Sequence, residues 1–299
     1  MAGMEPARAA LKLDVDLVRR LLGSQFPQWS SLPIRPILPG GWDNRTFRLG
    51  DDMVVRLPSA AVYSPQVEKE HRWLPILRPL LPLPIPAPIG LGQPCHGYPW
   101  SWSIYKWLPG KAASTRQVSL SHRLARSLGS FLAALQNIDA SGGPSPGPDN
   151  FHRGGSLQVY DAETRRAVAL LGAKIDARVA LRIWDEALAA PHDGHPVWLH
   201  GDVSAGNLLV EGGALAGVID FGCSAVGDPA CDLAVAWSSM ERQTRQAFRT
   251  AVNLPDSDWA RARGWALWKA LVVTAGISPA HSVAESQNRV ALEKVLLDA

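Results

Sequence analysis

The chain has 299 residues, 46% hydrophobic and 19% charged, which supplies a sizeable core and excludes a wholly disordered chain. Thirty Lys and Arg against 27 Asp and Glu leave a net charge of +3 with no basic run, so no nucleic-acid partner is expected. Three scattered cysteines, Cys95, Cys223 and Cys231, make neither a disulfide framework nor a zinc site and point to a reducing compartment.

The first twenty residues carry Glu5, Asp14 and Asp16 and lack an apolar stretch, so no signal peptide is expected. Asp14–Leu22 predicts a short helix with Leu17, Val18, Leu21 and Leu22 on one face. Strands are expected at Ile34–Leu38, Arg45–Leu49 and Met53–Leu57, joined by the turn-rich Pro39-Gly40-Gly41-Trp42-Asp43-Asn44 and by Gly50-Asp51-Asp52, an antiparallel meander. Pro65–Leu77 has helical spacing, with Pro65 suited to the first turn and Pro79 closing it. Trp73–Gly92 is the most apolar stretch of the chain, but Pro75, Pro79, Pro82, Pro84, Pro86 and Pro88 run through it, with Pro94 just beyond, and exclude a membrane helix. Strands near Ile89 and over Trp100–Leu108 complete this part, and Pro109-Gly110 breaks the chain.

Beyond that break the pattern turns helical. Ser121–Ile138 is amphipathic, with Leu124, Leu128, Phe131, Leu132 and Leu135 at helical spacing. Ser141–Asn150 reads as a loop and Leu157–Ala190 as one or two helices. Val197–Leu199 is a short strand, and Leu208–Val210 and Leu215–Ile219 form a hairpin across Glu211-Gly212-Gly213. Helices are expected over Cys231–Met240, Trp259–Ala275 and Val283–Leu297. Strands and helices are segregated, which is an α+β arrangement and not a Rossmann alternation. Residues 1–108 form one β-rich lobe and residues 109–299 a mainly helical one. The first holds twelve Lys and Arg against eight Asp and Glu, a surplus of four positive charges.

The chemistry is concentrated in Trp198–Val210. An apolar strand enters a polar loop, His200-Gly201-Asp202-Val203-Ser204-Ala205-Gly206-Asn207, and an apolar strand leaves it. Phosphoryl transfer to an alcohol needs a carboxylate to accept the hydroxyl proton and an oxygen ligand to help hold Mg²⁺ on the phosphates. Asp202 and Asn207 supply both, five residues apart, at the Asp-to-Asn spacing of a kinase catalytic loop. Thirteen residues after Asn207, Asp220-Phe221-Gly222 ends a hydrophobic strand with a second carboxylate suited to a hard cation. Asp228 is placed to cap the helix beginning near Pro229, and Asp232 to brace the backbone of the catalytic loop.

Together, His200-Gly201-Asp202…Asn207, Ile219-Asp220-Phe221-Gly222 and Gly227-Asp228-Pro229-Ala230-Cys231-Asp232-Leu233-Ala234 resemble the aminoglycoside phosphotransferase family. The resemblance implies a bilobal protein-kinase-like fold with a small β-rich N-terminal lobe, and ATP and Mg²⁺ as cofactors. It makes Asp202 the catalytic base and Asn207 and Asp220 the metal ligands. On the third strand the basic residue that meets the phosphates is Arg56, where the kinase pattern has lysine. Its helix partner is Glu70, with Glu68 the alternative. Gly41 belongs to the loop over the phosphates, and backbone groups from Lys106 to Leu108 form the adenine hinge. The acceptor that the resemblance suggests first is an aminoglycoside antibiotic. Macrolides and alcohols such as choline or homoserine stay open.

A polycationic acceptor needs carboxylates in the helical lobe, and Asp149, Asp161, Asp185 and Glu186 are the candidates. The polar loop Asp149–Gly155 is a candidate lining for that pocket. A kinase fold serving only as a binding module loses its base or a metal ligand, whereas Asp202, Asn207 and Asp220 are all present. A protein kinase is disfavoured, because no Ala-Pro-Glu motif follows Asp220-Phe221-Gly222. His71, His96, His122 and His281 read as solvated, His200 as a structural brace and Cys223 as a buried small side chain. The protein is expected to be cytoplasmic.

Overall fold

The computed structural model describes residues 12–38, 40–41, 43–192, 194–278 and 282–298. Pro39 and Trp42 of the glycine loop, His281, and the first eleven residues fall outside that set. The described residues form two compact units. One comprises the chain up to Arg78 with Pro86–Leu108, and the other Pro79–Ile85 with everything from Pro109 onward. The proline-rich connection therefore lends a short piece to the second unit, where the Pro84 carbonyl accepts from Val218 N–H at 3.1 Å.

The first unit begins with α1 (Val15–Gln25), started by Asp14, whose carboxylate accepts from Leu17 N–H at 2.9 Å. Its strands are β1 (Ile34–Pro36), β2 (Asn44–Leu49) and β3 (Met53–Pro58). Helix α2 (Pro65–Leu77) follows, then β4 (Pro88–Gly92) and β5 (Trp102–Lys106). They form one antiparallel sheet in the order β1-β2-β3-β5-β4. Leu17, Val18, Leu21 and Leu22 of α1 pack against Phe47, Leu49, Val55 and Trp102 of the sheet. The predicted apolar stripe is thus the buried one, and apolar burial is what holds the helix to the sheet.

His71 departs from its expected solvated state. Its Nε2 lies 3.1 Å from Ser103 Oγ, and burial pushes the imidazole below its ordinary value of 6.5. Protons then bind the unfolded chain better than the folded one. The stability contributed by neutral His71 is present above the ordinary imidazole value and is lost as pH falls through the lowered one. Thermal unfolding of His71→Gln between about pH 7 and about pH 5 is expected to show a smaller drop in Tm than wild type. An equal drop would assign the acid sensitivity to other groups.

The second unit opens with β6 (Lys111–Ala112), α3 (Thr115–Leu120) and α4 (His122–Gln136). It continues through α5 (Asp161–Leu171), α6 (Ala177–Ala189), β7 (Val197–Leu199), β8 (Leu208–Glu211), β9 (Ala214–Val218) and β10 (Ala225–Gly227). It closes with α7 (Ala230–Leu233), α8 (Val235–Ser238), α9 (Arg242–Val252), α10 (Asp256–Thr274) and α11 (Ser282–Leu297). Two small ribbons matter most. β7 pairs antiparallel with β10, while β8 lies between β6 and β9.

The expected helix over Cys231–Met240 is in fact two single turns, α7 and α8, with a break at Ala234. Helix α9 was not anticipated at all. Its sequence, RQTRQAFRTAV, is mostly polar, and it buries only Thr244, Phe248 and Val252, a stripe one residue wide. Helix α10 buries residues on nearly every side, including Trp259, Trp265, Leu267 and Leu271, which makes it the central post of the unit. Among the described residues no helix is long and apolar enough to cross a membrane.

Candidate active site

The two ribbons hold both polar segments by their ends. Strand β7 runs into the loop that starts at His200, and its partner β10 begins just after the Asp220–Cys223 turn. On the other side, β8 begins at Leu208, immediately after Asn207, and pairs with Val218 of β9, two residues before Asp220. Ile219 N–H donates to the Asn207 carbonyl at 2.9 Å. The hairpin therefore sets the residue preceding Asp220 directly against Asn207, although twelve residues separate them along the chain.

Asn207 also reaches back. Its Nδ2 donates to the Asp202 backbone carbonyl at 2.9 Å and to Asp202 Oδ2 at 3.2 Å. The amide nitrogen is thereby engaged, and Oδ1 is the end left to act as a ligand. Asp202 is exposed, Asn207 and Asp220 are half-buried. Asp220 adopts a left-handed backbone with φ 71°, a conformation that costs a non-glycine residue energy and clusters at functional sites.

The loop beneath is braced from inside. Asp232 of α7 is fully buried and accepts from His200 N–H and Gly201 N–H, both at 2.7 Å. This is the bracing role expected of it. Burial holds its carboxyl above the usual carboxylate range, against the pull of His200 and the two N–H bonds. His200 is also fully buried. Its Nε2 lies 3.0 Å from the Ile219 carbonyl, its Nδ1 accepts from Asp202 N–H at 3.2 Å, and its ring meets Phe221 edge-on at 4.6 Å. With Nδ1 accepting, Nε2 carries the proton, so His200 links the His200–Asn207 loop to the Asp220–Cys223 turn and is not placed as a base.

Gly201 has φ 84°, and a Cβ there would fall 2.3 Å from the Cys223 carbonyl oxygen. Only glycine lets the two segments approach so closely. The same carbonyl accepts from Asn150 Nδ2 at 3.2 Å. Asn150 also donates to the Arg153 carbonyl at 2.8 Å and accepts from Gly147 N–H at 2.9 Å. The Asp149–Gly155 loop, read from sequence as a candidate pocket lining, thus contains a buried support for the Asp220–Cys223 turn. Cys223 is buried as expected.

Asp228 is expected to cap α7; the cap position is instead Pro229, and Asp228, one residue earlier, accepts from Ala230 N–H at 3.0 Å and forms a buried two-pronged pair with Arg261 of α10 at 2.6 and 3.0 Å. That ion pair left no sequence signal, since 33 residues separate its members. Ligand atoms of His192, Asp228 and Asp258 lie within 4.8 Å of one another. Arg261 pairs with both carboxylates and reaches His192 Nδ1 at 3.3 Å. The guanidinium already occupies the place of a cation, so this cluster is an internal ion network.

In the first unit, Arg56 Nη1 lies 3.5 Å from Glu70 Oε1, and both side chains are largely buried. Glu68, the alternative, is exposed. Gly41 sits in the exposed loop between β1 and β2, its carbonyl accepting from Arg45 Nη1 at 2.6 Å. At the end of β5, Lys106 N–H donates to Ala87 O at 2.9 Å and Trp107 N–H to Asp52 O at 2.7 Å, so these two donors serve the sheet and its flanks.

The sequence profile of the phosphotransferase enzyme family matches residues 34–265. No curated protein matches the chain. Among solved structures, the GDP and kanamycin complex of APH(2")-IIIa superposes with a TM-score of 0.74 at 18% identity, covering 94% of this chain and 99% of its own. The streptomycin–ATP–APH(2")-IIa ternary complex gives 0.61 at 18%, covering 96% and 97%. The macrolide 2'-phosphotransferase MphH of Brachybacterium faecium gives 0.59 at 23%, covering 93% and 98%. These likenesses establish a kinase-like fold with an antiparallel sheet at the N-terminal side and helices beyond. With the profile spanning both the Arg56–Glu70 pair and the Asp202–Asn207–Asp220 set, the chain belongs to the phosphotransferase enzyme family, enzymes that transfer a phosphoryl group to a hydroxyl.

Proposed function

We propose that the protein is a cytoplasmic, Mg-ATP-dependent O-phosphotransferase acting on a hydroxyl of a small molecule of the antibiotic kind. One observation carries this reading. Asp202 and Asn207 are joined by two hydrogen bonds, and Asn207 is joined to the residue before Asp220, so base and metal ligands form one bonded unit. Residues 1–108 supply the nucleotide side. There Arg56 takes the α- and β-phosphates with Glu70 behind it, Gly41 covers them, and the Lys106–Leu108 hinge holds adenine chiefly through Leu108 N–H. Residues 109–299 supply the acceptor side. Asp202 accepts the hydroxyl proton and aims the oxygen at the γ-phosphorus.

Asn207 Oδ1 and the Asp220 carboxylate are hard oxygen donors and fit Mg²⁺, which neutralises charge on the transferring phosphoryl group. Asp220→Asn keeps an oxygen but loses its charge. It is expected to raise the Mg²⁺ concentration for half-maximal ADP release by about 10–100-fold, and a Mg²⁺ titration at saturating ATP reads this directly. An unchanged titration would remove Asp220 from the metal site.

An aminoglycoside is the first acceptor to try, given the kanamycin and streptomycin bound in the neighbouring structures. A specific observation favours a less cationic acceptor. Of the four carboxylates available to bind a polycation, Asp161 and Asp185 are both held by Arg165, at 2.8 and 2.6 Å, and Glu186 by Arg182 at 2.7 Å. Asp161 also accepts from Trp184 Nε1 at 2.8 Å. Two guanidinium groups thus serve three of the four carboxylates, and the fourth, Asp149, is exposed. Coupled ADP release with aminoglycosides, macrolides, choline and homoserine separates the readings. Turnover confined to the polycations upholds the first, and turnover of a macrolide or other singly charged alcohol upholds the second.

A further inference from the structure

Arg56 replaces the lysine of the kinase pattern, and a guanidinium is a wide planar fork whose usefulness depends on how it is aimed. Resting on the nucleotide reading above, we propose that Tyr105 is a positioning residue that fixes the Glu70 carboxylate and through it the aim of Arg56 at the nucleotide phosphates.

The sheet register brings these groups to one face. Arg56 of β3 lies opposite Ser103 of β5, and Tyr105 is two residues further along β5. It is therefore the diagonal cross-strand neighbour of Arg56 and projects to the same side. The guanidinium carbon stands 5.8 Å from the Tyr105 ring centroid. The Tyr105 hydroxyl donates to Glu70 Oε2, while Glu70 Oε1 faces Arg56. The two carboxylate oxygens are thus divided between one neutral donor and one cation. Tyr105 and Glu70 are both buried.

Ser103, itself buried, lies 3.1 Å from His71 Nε2. Burial and the neighbouring Glu70 charge push the phenol well above its ordinary value, so it stays a donor throughout the working pH range. A carboxylate held by one partner can turn about its own bond. With Oε2 fixed by the phenol and Oε1 left facing the guanidinium at 3.5 Å, it keeps one plane, and the fork facing it keeps one direction. A lysine ammonium, which donates in any direction, has less need of such a constraint. The arrangement is therefore matched to arginine.

The test is Tyr105→Phe, which keeps the ring packing and deletes the donor. ADP affinity and the KM for ATP should each weaken about tenfold, the value of a hydrogen bond to a charged group, with kcat within about twofold. Adenosine, which has no phosphate, should bind as tightly as to wild type. In an Arg56→Ala background the substitution should have no further effect on ADP. Glu70→Gln, which weakens the same link without touching the ring, should give the same phosphate-specific loss and serves if Tyr105→Phe does not fold.

Unchanged ADP affinity, equal weakening of ADP and adenosine, or an effect that persists without Arg56 each overturns the proposal. Wild-type protein that binds neither ADP nor ATP overturns the nucleotide reading and this proposal with it. Wild-type binding with an indifferent Tyr105→Phe overturns this proposal alone.

Discussion

Asp202→Ala is expected to bind Mg-ATP with wild-type affinity and to transfer phosphate about 10²–10⁴ times more slowly, the range of a lost general base. The carboxylate is exposed and its backbone is fixed at both ends of the residue. His200 Nδ1 holds the Asp202 N–H at 3.2 Å, and Asn207 Nδ2 holds its carbonyl at 2.9 Å. Removing the side chain leaves those bonds, so the loop, Asn207 and Asp220 stay in place and nucleotide binding survives.

Asp202→Asn sharpens the reading, because it keeps the shape and an acceptor oxygen but cannot take the proton at neutral pH. It should be nearly as slow as the alanine variant. Activity within about tenfold of wild type would instead make Asp202 an orienting group whose basicity is dispensable. Single-turnover rates at saturating ATP distinguish the two, since they exclude product release.

Asp232→Ala should be among the most damaging single changes in the helical unit. It exposes nothing and touches no substrate, yet it leaves His200 N–H and Gly201 N–H buried without an acceptor. At about 1–3 kcal/mol for each orphaned donor, the loss is about 2–6 kcal/mol, comparable to much of a domain's net stability. Urea unfolding should show a lower midpoint with an unchanged slope. Protein that remains folded should also lose kcat, because the segment carrying Asp202 is no longer pinned.

Asp139→Ala is the control. That carboxylate is exposed and bonds only its neighbour Ser141, at 2.7 and 3.0 Å, so the change should cost no more than about 0.5 kcal/mol. If the two substitutions cost the same, the buried brace is not what stabilises the loop.

The catalytic segment was legible because it is short and contiguous. Apolar strands on both sides of His200–Asn207 and before Asp220 announce a polar loop held at its ends, and the carboxylates within it have few structural uses. Arg56 and its helix partner were legible only through the family resemblance, and the preference for Glu70 over Glu68 followed from facing. What stayed hidden depends on pairings between distant segments. Tyr105 reads as an ordinary strand aromatic until the register of β3 and β5 places it beside Arg56. Arg261 reads as a helix-surface charge until α10 proves buried on nearly all sides. Asn150 gave a polar-loop signal but no hint that it bonds Cys223.

Secondary structure failed where burial is narrow or interrupted. Helix α9 buries a single row and so looks solvated, and the break at Ala234 divides a stretch that no Gly or Pro interrupts. Backbone donors carry no sequence mark either, so the bonds of Lys106 N–H and Trp107 N–H to Ala87 and Asp52 had no signal.

The most direct test of the account follows the label from γ-labelled ATP after incubation with wild-type protein, Mg²⁺ and the acceptor panel, with and without a chelator. The account predicts a labelled small-molecule phosphate ester, formed only with Mg²⁺ and nearly absent with Asp202→Ala. Label released only as inorganic phosphate, label retained on the protein itself, or ester formed equally by Asp202→Ala would contradict it.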